Sequence, residues 1–99
     1  MTIMIARFGN ALAEDLYKDL RSRVTRAFPP ELFRAARRKL LYLHDADQLS
    51  DLRVPPGNKL EALKGGLKGY HSIRINDQWR VIFKWDGGSA HDVQVLDYH

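Results

Sequence analysis

Between Ser72 and Val95 apolar side chains fall on alternate positions, and that period of two constrains this chain more than any other feature. Ile73 and Ile75 alternate with Ser72, Arg74 and Asn76; Trp79, Val81, Phe83 and Trp85 alternate with Arg80, Ile82 and Lys84; Val93 and Val95 follow. Such a period belongs to strands with one covered face, and Asp86-Gly87-Gly88 is a hairpin turn between the last two runs. Register follows from the same rule. Opposed residues of an antiparallel pair share a face, so Ile73 and Ile75 meet Val81 and Trp79 only across an odd-length loop, Asn76-Asp77-Gln78. Arg74 then stands opposite Arg80 on the other face. Two opposed guanidinium groups repel unless an anion lies between them, as in a phosphate clamp; splayed into water, their repulsion is slight.

Upstream, Thr2 to Phe8 reads as a short strand ended by Gly9, and Asn10 is placed to cap a helix. Leu12, Leu16, Leu20 and Val24, joined by Ala13 and Tyr17, form one apolar stripe on a predicted helix of about three turns. Glu14 and Asp15 near its start and Arg21 and Arg23 near its end suit its dipole. Pro29-Pro30 opens a second helix, whose buried side is Leu32, Phe33, Ala36, Leu40 and Leu43. Arg34, Arg37, Arg38 and Lys39 lie on its other faces, an ordinary solvated exterior open to contact with a partner. Asp45 to Leu52 adds a helical turn, and Val54-Pro55-Pro56-Gly57-Asn58 is loop.

The expected architecture is therefore α+β: a strand, two helices and a three-stranded antiparallel meander, β-α-α-β-β-β. The helices pack on one face of the sheet, because Trp79, Val81, Phe83, Val93 and Val95 share a face that needs cover. Arg74 and Arg80 belong on the open face, with Lys64 nearby. Residues 1–99 are read as one domain, since a chain of this size cannot supply two cores.

The chain has no cysteine, which excludes disulfides, thiolate nucleophiles and Cys-based zinc sites. Met1 to Phe8 is too short for a signal segment or membrane span, so the expected location is cytoplasmic, with no membrane partner. From Arg53 to Lys84 there are seven Lys and Arg against Glu61 and Asp77; the remaining chain has nine bases and ten acids, so the net charge of +4 comes from this stretch. A polyanion suits it. Within it, Lys64-Gly65-Gly66 and Lys68 set paired glycines between cations, where backbone amides can approach an anion. The four histidines lack the spacing of metal ligands, so no metal or cofactor is expected. Asp97-Tyr98-His99 closes the chain with three hydrogen-bonding or titratable side chains at a strand end.

Three runs carry a resemblance: Pro55-Pro56-Gly57-Asn58-Lys59-Leu60-Glu61-Ala62-Leu63-Lys64-Gly65, then Tyr70-His71-Ser72-Ile73-Arg74-Ile75-Asn76-Asp77-Gln78-Trp79-Arg80, then Asp97-Tyr98-His99. Together they resemble the HigB-type toxins of the RelE/ParE superfamily, nearly end to end. The resemblance implies a RelE-like fold and a type II toxin that cuts mRNA on the ribosome. It also implies a helix-turn-helix antitoxin of the HigA type, through which the complex contacts DNA. Lys64, Arg80, Asp97, Tyr98 and His99 match positions that the family uses at or near the scissile phosphate, and Lys59, Lys68 and Arg74 are expected to bind RNA phosphates. Some members carry a histidine three residues before the motif lysine; here that place holds Glu61. A carboxylate there can act as a base or hold Lys64, yet it opposes RNA locally. Relatives of the ParE type poison DNA gyrase on the same fold, so the fold alone does not decide the activity. The joint presence of Lys64, Arg80, Tyr98 and His99 favours the nuclease. A non-catalytic RNA-binding module would use the basic patch without the terminal triplet, and truncating His99 separates the two.

Overall fold

The computed structural model describes residues 7–98. Helix α1 (Ala11–Tyr17) opens under Asn10, whose Oδ1 accepts from the Ala13 amide at 3.0 Å, as expected of an N-cap. The helix is shorter than its apolar stripe. Asp19 adopts φ 60°, the Asp19 amide donates to the Leu16 carbonyl at 3.2 Å, and the Leu20 amide donates to the Asp15 carbonyl at 2.9 Å. This pair of bonds around a left-handed residue is the Schellman closure, which aspartate tolerates better than most side chains. Ser22 and Thr25 form a capping box that starts a separate four-residue helix, α2 (Arg23–Arg26). The single three-turn helix is thus corrected to two pieces, and Leu20 and Val24 are left exposed instead of lining the core.

Pro30 starts a 3-10 turn, Pro30–Leu32, that runs into α3 (Phe33–Asp45). Phe33, Ala36, Leu40 and Leu43 on α3 are buried as their spacing predicts, and Leu32 packs at the margin of the core. A further 3-10 turn, Leu49–Arg53, supplies the predicted single turn.

Strands β1 (Glu61–Ala62), β2 (His71–Arg74), β3 (Trp79–Asp86) and β4 (Ser89–Asp97) form one antiparallel sheet in that order. The predicted meander is β2 to β4; β1 is an addition, too short to show a period in sequence. The register is the one that loop parity dictates: Ile73 pairs with Val81 and Arg74 with Arg80. Gly87 and Gly88 both have positive φ, 58° and 79°, which is the two-residue turn that matches strand twist. Of the predicted first strand, residues 1–6 lie outside the described part. Its end runs parallel to β4, the Gly9 amide donating to the Val93 carbonyl at 2.7 Å and the Val93 amide to the Arg7 carbonyl at 3.1 Å. Asn10 continues this pairing with its side chain, donating to the Val95 carbonyl at 3.1 Å and accepting from the Val95 amide at 3.4 Å.

One core cluster joins Leu16, Leu40 and Leu43 to Ile73, Val81, Phe83, Val93 and Val95, so α1 and α3 cover the predicted face. The opposite face is not bare. Ser72 and Ile82, paired across β2 and β3, are fully buried there.

Tyr70 bolts the start of β2 to β4: its hydroxyl donates to Asp92, and the Lys84 ammonium lies 5.0 Å from its ring centroid. That hydrogen bond, followed by burial, holds the phenol above its usual 10.0. The folded chain therefore keeps this proton more tightly than the unfolded one, and the contribution is fully present below pH 10.0 and lost as pH rises through the raised folded value. Tyr70→Phe is expected to cost about 1 kcal/mol at neutral pH, discounted for partial exposure. The gap between the two proteins' urea midpoints should close above about pH 10; a gap constant to about pH 11 would remove the assignment.

Candidate active site

Three neighbouring strands and the end of the fourth converge on Arg80. Glu61 on β1 pairs with Ser72 on β2, and Ser72 with Ile82 on β3, so all three point to the face away from the helices. Arg80, two residues from Ile82, shares that face one diagonal step from Ser72. Its Nη1 donates to the buried Ser72 Oγ at 3.0 Å and lies 3.3 Å from Glu61 Oε1. From the other side, the Tyr98 ring centroid stands 5.1 Å from the guanidinium carbon, within cation–π range. Only 18% of the Arg80 side chain remains exposed. A planar guanidinium is thus held by three contacts beside an exposed carboxylate, an arrangement that can receive an anion if one displaces that carboxylate.

The expected repulsion between Arg74 and Arg80 is relieved by internal carboxylates. Arg74 pairs with Asp77 in the β2–β3 loop, and Arg80 with Glu61. Glu61 thus meets Arg80 rather than Lys64. The three lysines flank β1: Lys59 ends the turn Pro56–Asn58 with φ 47°, Lys64 precedes the turn Gly65–Leu67, and Lys68 closes it. All three are exposed. Asp97 stands opposite Trp79 and accepts from Gln78 Nε2 at 2.9 Å, whereas the next residue, Tyr98, turns to Arg80, its amide donating to the Gln78 carbonyl at 2.6 Å. His99 lies outside the described residues. The structure therefore brings Arg80, Tyr98 and Glu61 together and sets the lysines along the adjoining edge.

Two positioning residues escape a reading of the sequence. Ser72 is a small polar residue in an alternating strand, although its register opposite Ile82 marks it as Arg80's neighbour. Asn58 reads as loop, yet it is fully buried. Its Nδ2 donates to the carbonyls of Leu52 and Val54 at 3.1 and 3.4 Å, and its Oδ1 accepts from Lys39 Nζ at 2.6 Å, tying the approach to β1 onto α3. Burial, then the nearby positive charges of Arg38 and Arg74, holds the Lys39 ammonium below its ordinary pKa. Among the described residues no group of three or more His, Asp or Glu side chains is gathered as for a metal ion, and no helix is long and apolar enough to cross a membrane.

Residues 14–99 match the family described as the RelE-like toxin of type II toxin-antitoxin system HigB. Toxin HigB-1 of Vibrio cholerae is 44% identical over 96 residues, covering 97% of this chain and 98% of its own. The chain belongs to the HigB-like toxin family. A shorter match joins this HigB-like toxin to Endoribonuclease HigB of Proteus vulgaris, 42% identical over 41 residues, 41% of this chain and 45% of the relative. In three dimensions it is similar to the YoeB-YefM complex from Staphylococcus aureus, with a TM-score of 0.60 and 21% identity over 96% of this chain and 97% of that one. At that identity the likeness concerns the fold, and it agrees with the RelE-like architecture expected of HigB-like toxins.

Proposed function

We propose that this HigB-like toxin is an endoribonuclease that cuts mRNA on translating ribosomes, in the cytoplasm, under control of a helix-turn-helix antitoxin of the HigA type that carries the complex onto DNA. The observation that carries this reading is the guanidinium of Arg80, held by Ser72, Glu61 and Tyr98 on the face that the helices leave free. The name of the Proteus vulgaris relative supports the same activity.

RNA brings its own nucleophile. The 2′-hydroxyl attacks the adjacent phosphorus, the 5′ oxygen leaves, and the strand ends in a cyclic phosphate and a free 5′-hydroxyl. No metal is required when fixed cations meet the charge that builds on the phosphorane. Arg80 is assigned that task with Lys64, Tyr98 orients the nucleotide, and the Asp97/His99 pair moves the protons to and from oxygen. Phosphate and the Glu61 carboxylate are alternative partners for one guanidinium, so Glu61 gives way as RNA enters.

Induced expression followed by mapping of RNA 5′ ends tests the reading directly. New 5′-hydroxyl ends within coding regions are expected in translating cells and absent when initiation is blocked. Ends that persist without translation would remove the ribosome from the reaction, and drug-like DNA breaks in place of RNA ends would point to gyrase.

Lys59 and Lys68 are assigned to sequence-independent phosphate binding. Replacing both by glutamate is expected to weaken ribosome binding and to make the slope of log affinity against log salt shallower by about 1 for each phosphate no longer neutralised. The bonds cut stay the same. An unaltered slope in a sedimentation titration would take these lysines out of the interface.

A further inference from the structure

The cation–aromatic pair at Arg80 has a counterpart on the same face of the sheet. Trp79, Val81, Phe83 and Trp85 belong to or border the core beneath the helices, so Arg80, Ile82, Lys84 and Asp86 of β3 project to the other side. Ile82 is fully buried and stands between two cations. The Arg80 guanidinium carbon lies 5.1 Å from the Tyr98 ring centroid, and the Lys84 ammonium 5.0 Å from that of Tyr70. Four residues of strand set the two cations about 13 Å apart, within the reach of a few nucleotides of one extended RNA strand. One difference matters. Arg80 pairs with Glu61, whereas Lys84 is exposed and has no ion pair or hydrogen bond among the described residues.

A bulge shapes the ground beside Lys84. The β3–β4 register shifts between Ile82 and Lys84, Asp92 takes φ 52°, and His91 comes opposite Lys84 on the same face. With Arg7 and Asp86 these residues line a cleft of about 320 Å³, the size of a small ligand site. Asp92 is already engaged by the Tyr70 hydroxyl, which fixes the ring that Lys84 covers. Two carboxylates against two permanent cations leave the cleft close to neutral, so it does not simply extend the polyanion surface of Lys59, Lys64 and Lys68. An unpaired ammonium beside a carboxylate acceptor suits one nucleotide instead. The phosphate takes Lys84, and the base turns in with an exocyclic amino group, which adenine, cytosine and guanine carry and uracil lacks, donating to Asp86.

We propose that this cleft is a second RNA subsite, which holds a nucleotide flanking the scissile bond: Lys84 meets its phosphate, and Asp86 accepts from the amino group of its base. The inference rests on the reading of the chain as an RNA-cutting toxin, and it adds a position at which sequence is read, away from the bond that is cut.

The test maps the RNA 5′ ends made by the full chain in a translating extract supplied with a reporter library randomised around one cut site. The wild type is expected to disfavour uracil at one fixed distance from the cut, and Asp86→Ala to lose that discrimination. Lys84→Glu is expected to raise the toxin concentration needed for half-maximal cleavage about 10-fold, with a smaller change in the rate at saturation. Lys84→Arg restores the charge and the contact with the Tyr70 ring, so it should recover most of the loss. Both positions are exposed, and melting curves should match the wild type. A loss of cleavage that tracks a lowered melting transition and is not rescued by arginine overturns the proposal, because Lys84 would then act through the fold. So does uracil discrimination that persists in Asp86→Ala, or a Lys84→Glu protein that titrates as the wild type does. A wild type that yields no RNA ends overturns the nuclease reading and the subsite together, whereas one that cuts RNA with both variants matching it removes the subsite alone.

Discussion

Replacing Arg80 by alanine is expected to lower ribosome-dependent mRNA cleavage about 100- to 1,000-fold, the usual effect of removing one fixed donor from a developing oxyanion. Growth arrest on induction should disappear. The fold should survive, because the face involved is not the one the helices cover. What is removed structurally is one hydrogen bond to the buried Ser72, one pair with the exposed Glu61 and the contact with the Tyr98 ring, together about 1–3 kcal/mol. Lysine in its place restores the charge but not the planar fork that reaches Ser72 and an anion together, so partial recovery is the expected outcome. Primer extension on a reporter transcript in translating extract, with a melting curve beside it, measures both quantities. Wild-type cleavage by a folded Arg80→Ala protein would end the mechanism proposed for this site.

The second large effect falls on stability. Asn58→Ala is expected to cost about 2–4 kcal/mol, a substantial part of the roughly 5–15 kcal/mol that holds a domain together. The substitution leaves the buried Leu52 carbonyl without its donor and Lys39, already poorly solvated, without its acceptor. Asn58→Asp keeps the acceptor for Lys39 but turns a carboxylate oxygen towards the Leu52 and Val54 carbonyls, so it should also be destabilised, relieved only as far as the new charge pairs with Lys39. Urea unfolding read by fluorescence of the two tryptophans decides the matter, and a loss below about 1 kcal/mol for Asn58→Ala would show that water replaces the missing bonds.

These two residues also mark the limits of what the sequence reveals. Arg80 is legible because register in a two-period strand is a matter of counting: the odd loop Asn76-Asp77-Gln78 puts Arg74 beside Arg80. Its partners are not legible in the same way. Glu61 arrives through β1, a pairing of two residues with no periodic signal, and it meets a base 19 positions away instead of the lysine three positions on. Asn58 sits in a Pro-Gly-Asn turn that reads as exposed loop, and only packing against α3 shows it as a buried anchor. The first helix misled for a different reason. Leu20 and Val24 continue the apolar stripe at the correct spacing, but the backbone reverses at Asp19, and local turn chemistry overrides periodicity.

The way Asn10 lies against β4 bears on a hazard that every open sheet faces, association of one copy with another through unpaired strand edges. At the outer edge of β4, Val93 gives its amide and carbonyl to Arg7 and Gly9, and Val95 gives both of its own to the side chain of Asn10, which mimics a strand residue without extending the strand. At the opposite edge β1 offers only two residues, one of them a glutamate, between flanking lysines. Among the described residues, neither margin presents the long, neutral run of free amides that templates fibril growth or strand exchange. The carboxamide that starts the first helix is therefore also a guard against aggregation, and substitutions at Asn10 should be judged by turbidity as well as by melting temperature.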